Sequence, residues 1–251
     1  MKIGYEAFEP VFLTTREQPY LMDKYLAYEM QFAFEMAQNT IMEVSMIITK
    51  LEKAAKSKVR IYIDEELAFI LTEKELEKLS LEEGQSILPE QYEKLIELLI
   101  YPKAIEKALF ILKFMDRCEQ ELRSKLSREE YREDIIDRVI EYVKHYGYLN
   151  DERFATAFVK SRKNRKSKMM IKNELQQKGI SKDIIQTVLE AEYEAEDTED
   201  AEMIAIHKAI NKKTRDLQGL SLEEKQKLIA SLYRKGFDLS KIKQSIEKYD
   251  S

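Results

Sequence analysis

Beyond about residue 101 the sequence repeats itself three times, and no other feature narrows the possible folds so far. Ile171 and Leu175 stand eight and four residues before Gly179, and Ile180, Ile185 and Leu189 follow it by one, six and ten. The same offsets from Gly236 give Leu228, Leu232, Phe237, Ile242 and Ile246. With Glu130 in the glycine's place they give Leu122, Leu126, Tyr131, Ile136 and Ile140. Residues eight and four before the turn share one face of a helix, and those six and ten after it share one face of the next. Glycine between them supplies the positive φ that ends the first helix, and the apolar residue that follows can close the cap. Ser181 and Asp238 are placed to N-cap the second helix. A further helix is expected before each pair, at 103–115, 151–161 and 198–210. Each unit is then three helices, and such units stack into arrays with long surfaces. The third copy has a longer connection, 211–220, before the capping-box sequence Ser221-Leu222-Glu223-Glu224.

Upstream of the repeats lies one strand signal. Lys58 to Asp64 alternates, with Val59, Ile61 and Ile63 on one face, and Leu67 to Leu71 reads as its hairpin partner. Residues 46–51 can add a third strand. The turn between the first two lacks the glycine that two-residue hairpins favour, which predicts a longer or bulged turn. A two-stranded hairpin is marginal alone, so the sheet must pack on helix, with 73–81 and 90–99 as candidates. Only 6 Gly and 4 Pro among 251 residues, with 35% charged, fit long solvated helices elsewhere. Residues 21–36, rich in Met, Tyr and Phe and free of breakers, suit a helix. That helix would be a docking element, or sequence upstream of a natural start at Met42 or Met46. The expected fold is mostly α, a tandem array of three three-helix repeats with a small N-terminal β-hairpin or meander packed on helices. The expected segments are an N-terminal extension at 1–43, a small α+β domain at 44–100, and repeats at 101–150, 151–196 and 197–251.

Several function classes fall away. The single cysteine, Cys118, excludes an intramolecular disulfide and fits a reducing compartment. The first residues lack the apolar core of a signal peptide, and apolar runs such as 108–112 are far short of a membrane span. A cytoplasmic protein with no membrane partner is expected. No GxxxxGK[ST] or GxGxxG occurs, and scattered glycines cannot cradle a phosphate. His145 and His207 are isolated from other metal ligands and read as helix residues. Nothing in the sequence gives Cys118 an activating niche, and carboxylate pairs such as Glu129-Glu130 and Glu133-Asp134 suit a solvated face. No catalytic residue, cofactor site or metal site is expected, which favours a binding protein over an enzyme.

With a net charge of -5 and a pI of about 5.5, the whole chain is no electrostatic match for DNA, but its charge is unevenly spread. Lys160, Arg162, Lys163, Arg165, Lys166, Lys168, Lys172 and Lys178 face a single acid, Glu174, between residues 160 and 178. Such a cluster at a junction of two helices can grip phosphates or an acidic protein surface. The plainer alternative is a solvated face balanced by the acidic run at 190–202. The scarcity of acids inside the cluster favours contact. Phe154 and Phe158 are the only aromatics nearby and are assigned to the core, which leaves little for base stacking. The acidic run suits a helix end plus polar connector, and a role in limiting non-specific nucleic-acid binding is the sharper alternative.

The segment Tyr146-Gly147-Tyr148-Leu149-Asn150-Asp151-Glu152-Arg153-Phe154-Ala155 resembles the signature of the RecX family, bacterial regulators of the RecA recombinase. Lys160-Ser161-Arg162, Ile171-Lys172-Asn173-Glu174-Leu175, Gln177-Lys178-Gly179-Ile180 and Glu119-Gln120-Glu121-Leu122-Arg123-Ser124-Lys125-Leu126 extend the resemblance. It spans roughly 103–246, and more loosely the hairpin region 47–71. The resemblance implies a monomeric, cofactor-free, curved array of three-helix repeats lying in the groove of the RecA filament on single-stranded DNA. There it would inhibit strand exchange, ATP turnover and coprotease action. It also assigns contact to the basic stretch Lys160, Arg162, Lys163, Arg165, Lys166, Lys168 and Lys172, with weak direct DNA contact possible, while Asn150 and Asp151 are expected to cap a helix. Three departures stand out: Ser127-Arg128-Glu129-Glu130 replaces a lysine-glycine turn, Glu65 replaces a hairpin glycine, and the segment before Met42 has no counterpart. The alternative from another class is a helical protein that binds DNA directly through the basic cluster; the acidic pI argues against it. A bare scaffold for another protein is a third option.

Overall fold

Alternation in the sequence becomes a four-stranded antiparallel sheet of order β3-β2-β1-β4, formed by β1 (Met46–Ala54), β2 (Lys58–Ile63), β3 (Glu66–Thr72) and β4 (Ser86–Ile87). The computed structural model describes residues 45–54, 57–193, 200–214 and 217–250. The extension at 1–43, with the helix expected at 21–36, lies outside the described residues, as do 194–199 of the acidic run and 215–216 of the third copy's connection. The chain divides into two compact units. Among the described residues the first comprises 45–106 with 129–136, and the second 107–128 with 137–250.

In the first unit Val59, Ile61 and Ile63 of β2 are buried while their neighbours are not. The β2–β3 turn corrects the expectation of a long or bulged connection. Ile63 pairs with Glu66, and the two residues between, Asp64 and Glu65, have φ of 48° and 72°. Strand β1 supplies the support that glycine would otherwise make unnecessary. The Asp64 N–H donates to the Ile47 carbonyl (3.0 Å), the Ile47 N–H donates to Asp64 Oδ1 (3.0 Å), and the Glu65 N–H donates to Thr49 Oγ1 (3.0 Å). The bulge lies in β3 instead, where pairing jumps from Ile61↔Phe69 to Tyr62↔Leu67.

Helix α1 (Glu73–Leu79) opens with a capping box between Thr72 and Glu75 and closes at Ser80 (φ 49°), short of the expected 81. Burial pushes the Glu75 carboxyl up, but Lys103 (2.8 Å) and the Thr72 hydrogen bonds outweigh it and leave it below the usual carboxylate range. An acid whose folded pKa is depressed contributes stability that is complete above the unfolded value of about 4.3 and is lost as pH falls through the folded value. Wild type should therefore outlast Glu75→Gln in thermal melts at pH 7, with the difference shrinking as pH is lowered below about 4.3; a constant difference would contradict the assignment.

Helix α2 (Pro89–Leu95) runs through a π-helical turn, Ile96–Ile100, into α3 (Tyr101–Phe114). The helices expected separately at 90–99 and 103–115 are thus one uninterrupted run. Pro102 lacks an N–H and fits an α-helix interior poorly, and the wider turn, with the Tyr101 N–H reaching the Ile96 carbonyl, lies just ahead of it. The glycine-free turn after residue 128 belongs to this unit. Glu130 stands at φ 63°, and Arg60 holds its carboxylate bidentately at 2.5 and 2.7 Å while Lys58 pairs with Glu129 at 2.9 Å.

The remaining helices are α4 (Glu119–Arg128), α5 (Glu133–His145), α6 (Asp151–Arg162), α7 (Lys168–Gln177), α8 (Lys182–Tyr193), α9 (Ala201–Asn211), α10 (Leu222–Arg234) and α11 (Leu239–Asp250). Every apolar repeat position is buried except Tyr131, which is half-buried. Ile171, Leu175, Ile180, Ile185 and Leu189 share one core with Phe158 and Val159, and Leu228, Leu232, Phe237, Ile242 and Ile246 share another with Ile206 and Ile210. Gly179 and Gly236 take φ of 78° and 79°, and the next residues close the caps through Ile180 N–H to Leu175 O and Phe237 N–H to Leu232 O. Helix α9 begins at Ala201, where Asp200 stays non-helical and its carboxylate caps the N–H groups of Glu202 and Met203, and 198–199 of the expected span lie outside the described residues.

Successive repeats join through the same positions. Twelve residues before the turn position stand Cys118 in the first copy and Ser167 in the second. The Cys118 thiol donates to the Lys178 carbonyl (3.2 Å), and the Ser167 hydroxyl donates to the Lys235 carbonyl (2.6 Å). Ten residues before the turn stand Gln120 and Met169, whose Cβ atoms would lie 3.1 and 3.0 Å from a Cβ on Gly179 and Gly236. Each glycine therefore meets two demands, a left-handed backbone and a close neighbour from the preceding copy.

Candidate functional site

The basic cluster occupies the end of α6, the connector 163–167 and the first turns of α7. Asn150 starts α6 by accepting the Arg153 N–H (2.8 Å), and Ser167 starts α7 by accepting the Met170 N–H (3.2 Å). These two caps fix where the chain leaves one helix and enters the next. Asp151 accepts the Glu119 N–H (2.9 Å), so both residues of the Asn-Asp pair serve helix starts.

The structure sorts the seven cations into two groups. Lys163 is held most firmly: its ammonium donates to the Glu192 carbonyl (2.9 Å) and pairs with the Glu192 carboxylate (3.0 Å), with side chains only 19% and 12% exposed. Lys160 lies 3.4 Å from the same carboxylate but is itself exposed. Lys166 pairs with Glu174, and Arg162 lies 3.8 Å from Glu174 with its guanidinium 3.6 Å above the Phe158 ring. Lys168 sits over the Tyr193 ring at 5.3 Å, where burial pushes the phenol's pKa up. Arg165 and Lys172 are exposed, and among the described residues neither takes an ion-pair partner. The plainer alternative is thus in part realised: Glu192, from the acidic run, neutralises the inner end of the cluster. Arg165, Lys172 and the outer face of Lys160 remain open to an anionic partner. Nothing local marks Glu192 as the counter-ion, because the pairing joins residues 29 positions apart. The flanking Lys178 pairs with Glu121 and lies 5.7 and 5.8 Å from the Phe154 and Phe158 rings, so it also serves packing.

Other candidate chemistry is quiet. Cys118 is buried, and burial pushes its thiol pKa up, which favours the neutral hydrogen-bond donor over a nucleophilic thiolate. His145 is exposed on α5 with its ring edge-on to Tyr146, and His207 is half-buried in α9. Among the described residues no group of three or more His, Cys, Asp or Glu is placed to hold a metal, and no helix is long and apolar enough to cross a membrane.

Comparison with known proteins matches three consecutive stretches to family models. Residues 104–142 match RecX, first three-helix domain; 150–189 match RecX, second three-helix domain; 200–246 match RecX, third three-helix domain. Regulatory protein RecX of Clostridium acetobutylicum is 32% identical over 206 residues, covering 80% of this chain and 95% of that protein. Regulatory protein RecX of Caldanaerobacter subterraneus subsp. tengcongensis is 32% identical over 203 residues, covering 80% of this chain and 98% of its own length. A crystal structure of regulatory protein RecX superposes with a TM-score of 0.54 at 24% identity, over 79% of this chain and 99% of that one, and shares the fold.

Proposed function

This chain belongs to the RecX family of regulatory proteins, and from that premise we propose that it binds the RecA filament on single-stranded DNA and lowers its activity. On this reading it acts in the cytoplasm as a monomer, without a cofactor or a chemical step of its own. Its effect would fall on strand exchange, ATP turnover and coprotease action together, because all three require the filament. The observation that most supports the reading is the near-complete alignment with relatives called Regulatory protein RecX, over 95% and 98% of their lengths. The open cations of the second repeat support it further, since a filament presents both acidic protein surface and phosphate. The three repeats are proposed to occupy 101–150, 151–196 and 197–251, with the sheet and its helices at 44–100.

The test is single-stranded-DNA-dependent ATP hydrolysis by the host's RecA, with this protein added below stoichiometry. Turnover should fall while binding to naked DNA remains too weak to sequester it. Unchanged turnover beside tight DNA binding that salt abolishes would replace this reading with direct DNA binding through Lys160 to Lys172. Unchanged turnover and no DNA binding would leave only a scaffold role.

A further inference from the structure

The two joints between repeats share their hydrogen bond but differ on the outside. Around Gly179 stand Gln120, ten residues before the preceding copy's turn position, and Gln176 and Lys182, three before and three after the glycine. Around Gly236 the same positions hold Met169, Tyr233 and Leu239, which are 59%, 61% and 39% exposed. The same joint is thus built with polar residues at these places in one case and with exposed apolar ones in the other. Met169 lies against Gly236, with its Cβ 3.0 Å from the place a Cβ there would occupy, while Tyr233 and Leu239 flank the same turn.

Cations border this apolar centre. Arg234 and Lys235 belong to the same turn, and Lys172 lies one helical turn beyond Met169 on α7. All three are exposed, and none has an ion-pair partner among the described residues. The nearby carboxylate, Asp238, is used within its own helix: it accepts the Ser240 hydroxyl and the N–H groups of Ser240 (2.9 Å) and Lys241 (3.0 Å) to cap α11. An apolar centre with a basic border is the arrangement of an interface in which an anchor side chain is buried and charges steer the approach.

We infer that Met169, Tyr233 and Leu239, bordered by Lys172, Arg234 and Lys235, form a docking face for an acidic protein segment that presents an apolar side chain. The charge of the border selects an acidic partner. The aliphatic Met169 and Leu239 select protein over nucleic acid, because bases stack on aromatic faces and only Tyr233 offers one. The inference deepens the filament reading and rests on it, since it places part of the protein–protein contact on the third repeat.

The first joint supplies the test variant. Met169→Gln, Tyr233→Gln and Leu239→Lys, made together in the full chain, install the residues that Gln120, Gln176 and Lys182 represent in a joint that folds. Binding is measured to RecA filaments assembled on poly(dT) with a non-hydrolysable nucleotide, and to poly(dT) alone. The triple variant should melt as wild type does, bind filament about tenfold or more weakly, and bind poly(dT) unchanged. Arg234→Glu with Lys235→Glu should also weaken filament binding and, being exposed, decides the matter if the triple variant is unstable. Wild-type filament binding by both variants would overturn the inference and leave the RecA reading standing. A matching loss on poly(dT) would assign the face to nucleic acid and overturn it too. Failure of the wild-type protein to bind filament would overturn both.

Discussion

Replacing Gly236 by alanine should destabilise the third repeat by about 2–3 kcal/mol, while Gly147→Ala should cost about 1 kcal/mol. Both glycines have positive φ, 79° and 70°, so each variant bears the penalty of a side chain in the left-handed region. They differ in surroundings. A Cβ at Gly147 meets nothing within 4 Å, whereas at Gly236 it would stand 3.0 Å from Met169 Cβ and 3.1 Å from Ser167 Oγ. Neither neighbour is the far end of a flexible chain, and the Ser167 hydroxyl is fixed by its bond to the Lys235 carbonyl. Relief requires the third repeat to move off the second. Native-state hydrogen exchange reads this directly, because amides of α10 and α11 should lose protection in Gly236→Ala beyond any change in Gly147→Ala. Equal losses in the two variants would mean that the joint is looser than the geometry shows.

Charge reversal in the basic cluster should divide by position. Arg165→Glu with Lys172→Glu should leave the melting temperature near wild type and weaken filament binding by about tenfold, reducing its salt slope by about one for each phosphate that is no longer neutralised. Lys163→Glu should instead lower stability, since it places two carboxylates together where Lys163 now meets a Glu192 side chain that is only 12% exposed. Thermal melts and filament titration, run in parallel on both variants, separate the outcomes. If Lys163→Glu is as stable as wild type while Arg165→Glu with Lys172→Glu binds normally, the cluster is not divided in this way.

The repeat was legible because its periodic residues are those that bury themselves: a helix pair must place Ile171 and Leu175 on one side of its turn and Ile185 and Leu189 on the other. The turn position was legible even without glycine, since the register put Glu130 in the glycine's place, and the structure gives that residue a φ of 63°. What could not be read was whatever depends on partners distant in the sequence. The two-residue hairpin at Asp64-Glu65 is held by Ile47 and Thr49 of another strand, and local turn chemistry does not reveal a clamp supplied from elsewhere. β4 is two residues long and has no room to alternate. In the candidate site, the composition of the cluster was visible and the acidic run at 190–202 was an open counterweight, but that Glu192 is the residue which meets Lys163 was not. The apolar positions Met169, Tyr233 and Leu239 stood out only once the structure made one joint comparable with the other.

The hydrogen bond at each joint ends on a backbone carbonyl. A carbonyl is present whatever side chain the residue carries, so the receiving copy is under no obligation to keep a particular residue there. The donating copy needs only a small side chain bearing a hydrogen, and a thiol at Cys118 serves the same geometry as the hydroxyl of Ser167. Copies built on this rule can drift apart in their outward-facing residues and still fit end to end. An ancestral duplication thus yields joints with different outward faces, one carrying Gln120, Gln176 and Lys182 and the next Met169, Tyr233 and Leu239, with no change to the hydrogen bond that closes them.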